Sequence, residues 1–592
     1  MPRAKKQKSG PADETLGMDP ITFEVLKNAF LNATEEMAFT IRRTAYSTNI
    51  KTRADFSCAF FDTQFRVIAQ SFSQPPHLSS MKTAIPNTLR EYGPENLDPG
   101  DALVVNDPHR GSSHLNDVAF VGPVFAGKTC IGYLANMAHH VDVGGSTPSS
   151  LGVNREIYQE GIIIPPTKIM RRGKIDNDVL GLILQNVRAP RETGGDLRAQ
   201  MGANLVGARR IVDLTERYSI DTVKIFFDEL LDYTERWARR EILKLPQGVY
   251  RAEGYRDGNG FDPDPVKIAV AVHIRNGYAK LDVTGSSPQQ IGPLNATRSN
   301  TFASIAVLIK TLIDPRILVN DGLYRRLDVI GPDGTVLTAQ WPAAVVGAWE
   351  VGQLSAELCF TALHPALSGR IPACGKAIIC NLGFAGDSPK TDGYYCYMET
   401  VGGGNGARPT KDGPDGIQTT IHNTENAPIE EVEINYPIRF ARYELIRDSG
   451  GPGRFRGGMG IRRDYVFPDC DTTFTVLSDG TRFPPWGLEG GGSGRPAHFI
   501  LNPQAKSRKL PSKISITVPR GERVSVQTPG GGGYGTPLAR DPADVVLDVR
   551  DGRISPRTAR EVYGVVYNPK TWSVDDKRTR ARRRQIEQRA TL

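Results

Sequence analysis

The chain has 592 residues, 39% hydrophobic and 23% charged, proportions that fit a globular protein rather than a disordered or membrane one, and a length that calls for several packed units rather than one core. No run approaches the roughly 18 apolar residues that a membrane-spanning helix needs. The formal charge of +8 lies mainly in the tails, where residues 1–18 carry four basic and two acidic side chains and residues 575–592 carry seven and three; the near-neutral body, and the lack of aromatics among the C-terminal arginines, argue against nucleic acid as a partner.

The opening MPRAKKQKSGPADETLG has no apolar core of its own, unlike a secretory signal, so a cytoplasmic protein with a disordered basic tail over 1–18 is expected. Asp19-Pro20 supplies a capping carboxylate and a first-turn proline. Ile21, Val25, Leu26, Phe30, Ala33, Met37 and Ile41 then recur at helical spacing, predicting a long amphipathic helix to about Ala45. Residues 55–60 alternate as a strand with Phe56, Cys58 and Phe60 on one face and Asp55 and Ser57 on the other. Residues 102–106, 117–125 and 129–143 read as strands. Gly122 to Thr129 matches the phosphate-loop pattern letter for letter, but strand-like residues flank it on both sides, so a hairpin with Ala126-Gly127-Lys128 at its tip is expected.

Residues 175–245 read as helix, notably 196–211 and 222–231. From 249 onward β signals dominate, with one helical interruption near 299–313. Beyond residue 401 the glycine strings at 402–406, 450–458, 490–494 and 529–535 suggest tight turns and bulges. The expected architecture is a multidomain α+β fold with mixed sheets. It divides into a metal-site α/β region over 19–175, a helical segment over 176–248, an α+β domain over 249–400, a glycine-rich β domain over 401–545 and a C-terminal extension with a basic helix over 546–592.

The seven cysteines are scattered and form no C-x-x-C pair, so neither a disulfide framework nor a zinc ribbon is indicated. Cys58 faces away from Asp55, and no G-x-S-x-G elbow occurs, which leaves covalent catalysis without a nucleophile. The histidines carry the stronger signal. Five of nine fall between residues 77 and 140. The loop after the strand at 102–106 holds Asp107, His109, His114 and Asp117, and a turn can bring His114 and Asp117 onto one divalent ion. The strand at 129–143 carries His139-His140, of which alternation allows only one to join a given site. A satisfied core histidine is the competing reading for either.

Long strings now accumulate: SCAFFDTQFRVIAQ (57–70), PPHLSSM (75–81), NDPHRGSSHLNDV (106–118), MAHHVDVGG (137–145), YQEGIIIPP (158–166), GDLRAQMGAN (195–204), VTGSSPQQIGPLN (283–295), HNTENAPIEEVEINYPIR (422–439), GGPGRFRGGMG (450–460) and PGGGGYG (529–535). In these, from about Asp19 to Pro537, the chain resembles the hydantoinase B/oxoprolinase family, which includes N-methylhydantoinase B subunits and the metal-bearing subunits of acetone and acetophenone carboxylases. The resemblance implies a divalent metal, Zn or Mn, on Asp55, His114, Asp117 and His139, favouring His139 over His140. It also implies a hetero-oligomer in which a hydantoinase A-type subunit binds ATP and phosphorylates the carbonyl of a cyclic amide. Water activated at the metal would then attack that carbonyl, with Asp142 or Glu160 as base or orienting group. A ketone carboxylase subunit and a non-catalytic scaffold are the alternatives. Ser112-Ser113 and His109 depart from the family's usual Gly-Gly-Thr and aromatic residue beside the site.

Overall fold

The computed structural model describes residues 17–71, 74–391 and 393–591; most of the tail expected over 1–18 lies outside them. Helix α1 (Pro20–Thr44) starts where Asp19 accepts a hydrogen bond from the Thr22 amide at 2.8 Å. It buries Phe23, Leu26, Phe30, Ala33, Met37 and Ile41. Ile21 and Val25, expected on that face, are instead 75% and 41% exposed, and Phe23 takes the inward position. A short helix α2 (Thr48–Lys51) leads into the first sheet.

That sheet contains β1 (Phe56–Phe61), β2 (Val67–Gln70), β3 (Ala102–Val105), β4 (Asp117–Ala126), β5 (Thr129–His139), β6 (Thr167–Arg171) and β7 (Lys174–Ile175), with helix α3 (Pro75–Tyr92) inserted after β2. Its order is β2-β1-β5-β4-β3-β6-β7, every neighbour antiparallel. β4 and β5 form the expected hairpin, with Gly127 and Lys128 exposed at its tip. Strand β5 stops at His139, four residues earlier than the apolar pattern suggested. Both faces of the sheet are covered. Phe56, Cys58 and Phe60 pack on α1 and, of the helices α4 (Asn177–Gln185), α5 (Pro190–Tyr218) and α6 (Ile220–Leu243) that follow, on α5 and α6, while Ala59 and Phe61 join a larger core on the other side.

The second sheet has the order β11-β10-β9-β8, from β8 (Gly248–Arg256), β9 (Val266–Arg275), β10 (Tyr278–Asp282) and β11 (Leu327–Ile330). Its single parallel pair, β10 with β11, is joined through α7 (Arg298–Leu312) and α8 (Asp321–Tyr324). One helix lies where strand signals dominated. In α9 (Ala348–Leu363) every residue but Thr361 is buried, so no polar face generates a helical period. Its buried polar stripe ties it to the C-terminal half: Glu350 accepts from the Ile379 and Cys380 amides, and Glu357 from the Gly375 amide and Thr420.

The C-terminal half stacks two antiparallel sheets on one core built around Phe384, Tyr465 and Phe474. One has the order β13-β12-β16-β19 and the other β14-β15-β20-β17-β18, from β12 (Asn381–Ser388), β13 (Gly393–Thr400), β14 (Arg439–Leu445), β15 (Ile461–Val466), β16 (Thr472–Leu477), β17 (His498–Leu501), β18 (Arg508–Leu510), β19 (Lys513–Val518) and β20 (Arg523–Gln527). The glycine strings are not chiefly turns, as expected, but a bundle packed backbone against backbone. Successive amides of one string point to three different neighbours: Gly531 to the Gly458 carbonyl, Gly532 to Cys374 and Gly533 to Gly492, at 2.9, 2.8 and 2.9 Å. A Cβ on Gly531 would stand 2.0 Å from the Asn405 carbonyl oxygen, so it is the missing side chain, not an unusual φ, that the position requires.

Candidate metal centre

Three strand ends and one helix bring the site together. Asp55 immediately precedes β1, Asp117 opens β4 and His139 closes β5, and the antiparallel pairing sets Asp117 opposite His139. The Asp55 carbonyl accepts from the His139 amide at 3.0 Å, fixing the third strand end beside them. His114 arrives from the turn before β4, and His77 from the first turns of α3.

Donor atoms of His114, Asp117 and His139 all lie within 4.8 Å of one another, and all three residues are buried. His114 and His139 meet edge to face with ring centroids 4.8 Å apart, and His114 Nε2 stands 3.6 Å from Asp117 Oδ2. That oxygen is buried and accepts no hydrogen bond among the described residues. A buried carboxylate oxygen left open between two imidazoles is a donor set that a divalent cation completes. Asp55, the fourth expected ligand, lines the same chamber but is separated from Asp117 by His77, a residue without a role in the sequence reading. His77 Nε2 lies 3.1 Å from Asp117 Oδ1 and 3.8 Å from Asp55 Oδ1.

Burial and charge set the protonation of these groups. Burial pushes Asp55 up to about 6, against the pull of His77 and Arg53. Burial also opposes ionisation of Asp117, but His114 and His77 override it and hold the carboxyl well below its usual range. His77 shows the reciprocal effect: burial lowers it, and Asp117 and Asp55 raise it more. His114 and His139 are pushed down by burial, His139 further by its neighbour His114, so both rings are neutral, as ligands must be. Asn49, whose Oδ1 accepts from Arg53, donates its Nδ2 to the His139 carbonyl and faces His139 Nδ1 at 3.0 Å.

These side chains line a small chamber of about 20 Å³, room for a single water. Trp349 of α9 packs edge to face with His77 and His114. Met398, Thr400 and His422 complete the wall from the C-terminal half.

The remaining sequence candidates lie elsewhere. His140 points to the opposite face of the strand and meets Gln200 Oε1 at 2.9 Å. Asp107 caps the turn at His109, and His109 contacts the Ala343 carbonyl and Trp341. Neither Asp142 nor Glu160 is among the chamber-lining residues described. Asp142 accepts from the Gly144, Ser149 and Arg188 amides and from the Arg188 guanidinium, which ties down the loop after His139. Glu160 Oε1 accepts from the amide of Val346, itself a chamber residue; its other oxygen is buried without a partner among the described residues, and burial pushes the carboxyl up to about 8.

A family model described as hydantoinase B/oxoprolinase matches residues 19–537. The chain belongs to that family. Among its relatives is the B subunit of a putative D-/L-hydantoinase of Pseudomonas sp. (strain NS671), 34% identical over 567 residues, covering 93% of this chain and 95% of the relative. The crystal structure of an ATP-dependent caprolactamase from Pseudomonas jessenii superposes with a TM-score of 0.88 at 30% identity, covering 96% of this chain and 100% of that one. A nucleotide-free acetone carboxylase shares the fold, with a TM-score of 0.90 at 20% identity, over 98% of this chain and 84% of that one.

Proposed function

We propose that this chain is the metal-carrying subunit of an ATP-dependent amidohydrolase that opens a cyclic amide. One observation carries the reading: the donors of His114, Asp117 and His139 converge within 4.8 Å around a buried carboxylate oxygen that accepts no hydrogen bond among the described residues. These three, with Asp55 or His77 as the fourth group, would hold Zn or Mn, both of which accept imidazole and carboxylate. When bound, such an ion supplies the Lewis acidity that makes water nucleophilic near neutral pH.

The chain's own residues do the rest. His77 engages Asp117 Oδ1, which leaves Oδ2 directed at the imidazoles. Trp349 shields His77 and His114 from bulk water. Asp142 and Glu160 are assigned orienting roles, Asp142 through the loop after His139 and Glu160 through the Val346 amide that backs the chamber wall.

An unactivated amide resists water, so the carbonyl must be made electrophilic beforehand. A hydantoinase A-type partner that binds ATP and phosphorylates the carbonyl oxygen fills that role. The hairpin geometry of Gly122 to Thr129 supports placing ATP on another chain, since no helix follows to cradle phosphates. The chamber as it stands admits water and no cyclic amide, so turnover requires its wall to open. Gln74 lines both this chamber and a neighbouring cavity of about 560 Å³, which marks the entry.

Assay of the chain with its partner tests the proposal: ATP-dependent opening of a hydantoin, oxoproline or lactam is expected, and its loss in His114→Ala. Turnover of a ketone with bicarbonate and of no cyclic amide would assign the chain to a carboxylase instead. Undiminished activity in His114→Ala would make the chain a scaffold.

A further inference from the structure

On the side of α3 away from the chamber lies a further cavity, of about 500 Å³, a volume in the range of small-molecule sites. Helices α1, α3, α7 and α8 wall it, together with the segment between the last two. Leu31, Leu78, Ala306, Val307, Leu318 and Tyr324 give the wall its apolar character. Successive residues of α3 serve the two spaces, His77 lining the chamber and Leu78 the cavity, so a single helix, about 10–12 Å across, separates them. They connect around the start of that helix. Gln74, the residue before α3, lines both the chamber and the entry cavity, and Glu35 and Asn423 line both the entry cavity and the apolar one. Spaces of about 20, 560 and 500 Å³ thus follow one another with shared walls.

Charge along this path decides what the apolar cavity can take. Both cations among its described lining residues are already engaged, Lys310 Nζ by the Pro315 and Ile317 carbonyls and Arg316 by Asp314. Glu35 places a carboxylate where the cavity meets the entry. The entry adds Glu36 and Glu425, and its Arg42 is paired with Glu425. A ligand group carrying a carboxylate would pass this acidic stretch and find no unengaged cation among the described residues beyond it. An alkyl or aryl group meets no such barrier and gains about four-fold in affinity for each methylene it buries.

We propose that this cavity is a specificity pocket for an apolar substituent of the cyclic amide. The substrate class is then a hydantoin or lactam bearing an alkyl or aryl group, rather than oxoproline, whose ring carries a carboxylate. The proposal rests on the reading that the chain serves a cyclic-amide hydrolase. The ring sits in the entry cavity with its carbonyl toward Gln74 and the chamber, and the substituent extends past Glu35 and Asn423.

The test uses the full chain and its complex with the ATP-binding partner. Turnover of hydantoin, isobutylhydantoin, benzylhydantoin and oxoproline is compared, and calorimetry follows isobutylhydantoin binding to the full chain. Wild type is expected to favour the two substituted hydantoins over hydantoin by at least about ten-fold in kcat/KM, and to turn over oxoproline least. Ala306→Phe fills the cavity from α7. It should bring that preference toward one and weaken isobutylhydantoin binding at least about ten-fold, with metal content and unfolding temperature retained. If the variant does not fold, Val307→Phe, at a half-buried position of the same helix, carries the test. Equal kcat/KM for hydantoin and its substituted forms, a preference for oxoproline, or a preference that survives both substitutions and so belongs to the partner overturns the proposal. Isobutylhydantoin binding that falls when the cavity is filled, in a complex that opens no cyclic amide, would keep the cavity as a site for an apolar ligand while removing the hydrolase reading, so the two failures are distinguishable.

Discussion

His77 sits between Asp117 and Asp55 at 3.1 and 3.8 Å, so its removal leaves two buried carboxylates facing each other without the group that separates them. His77→Ala is expected to weaken metal binding by about 10–100-fold, the usual effect of losing a group that orients a ligand, with the fold retained; competition against a chelator measures it. Neither partner is near His77 in sequence, and for that reason the histidine cluster was legible while the role of this member was not. The expected ligands His114, Asp117 and His139 were legible partly from local spacing and partly from resemblance, because alternation alone could not choose between His139 and His140. Glu160 makes a pH prediction. Its carboxyl titrates near 8 in the folded chain against an ordinary value of 4.5, so the folded state holds the proton more tightly. Its stabilising effect is complete below the ordinary value and is lost as pH rises toward 8. Glu160→Gln should flatten the fall in unfolding temperature between about pH 5 and 9; a slope identical to wild type would show that Glu160 does not titrate in that window.

Elements whose signals are local were readable from the chain: the Asp19 cap of α1, the β4–β5 hairpin and the helices between residues 177 and 243. Elements defined by what packs on them were not. Helix α9 is buried all round, and the glycine strings acquire their meaning only where four distant segments meet. Two glycine substitutions separate these cases. In Gly531→Ala the new Cβ would lie 2.0 Å from the Asn405 carbonyl oxygen, with backbone rather than a flexible side chain in the way. It should destabilise by at least about 1–3 kcal/mol. Gly181, inside α4, has nothing within 4 Å of the point where a Cβ would stand, and Gly181→Ala should stabilise by up to about 1 kcal/mol through helix propensity. Denaturant titration of the two variants reads both signs, and equal effects would contradict the backbone-packed bundle.

At the scale of the molecule, the chamber is a joint product of distant parts of the chain. Its expected ligands come from the first sheet and the turn before β4, Trp349 from α9, and Met398, Thr400 and His422 from the C-terminal half. The α+β character and the β-rich second half were readable from sequence, but the convergence of the two halves on one chamber was not, since it depends on contacts across more than 300 residues such as Arg53 to Thr400. Among the described residues no helix is long and apolar enough to cross a membrane. The central claim, one cation held by His114, Asp117 and His139, is tested most directly by anomalous X-ray diffraction at the Zn and Mn edges on crystals of the purified chain. The account predicts one anomalous peak at about 2.0–2.2 Å from a donor atom of each of these three residues; a fully active chain with no peak there, or with its peak elsewhere, would contradict it.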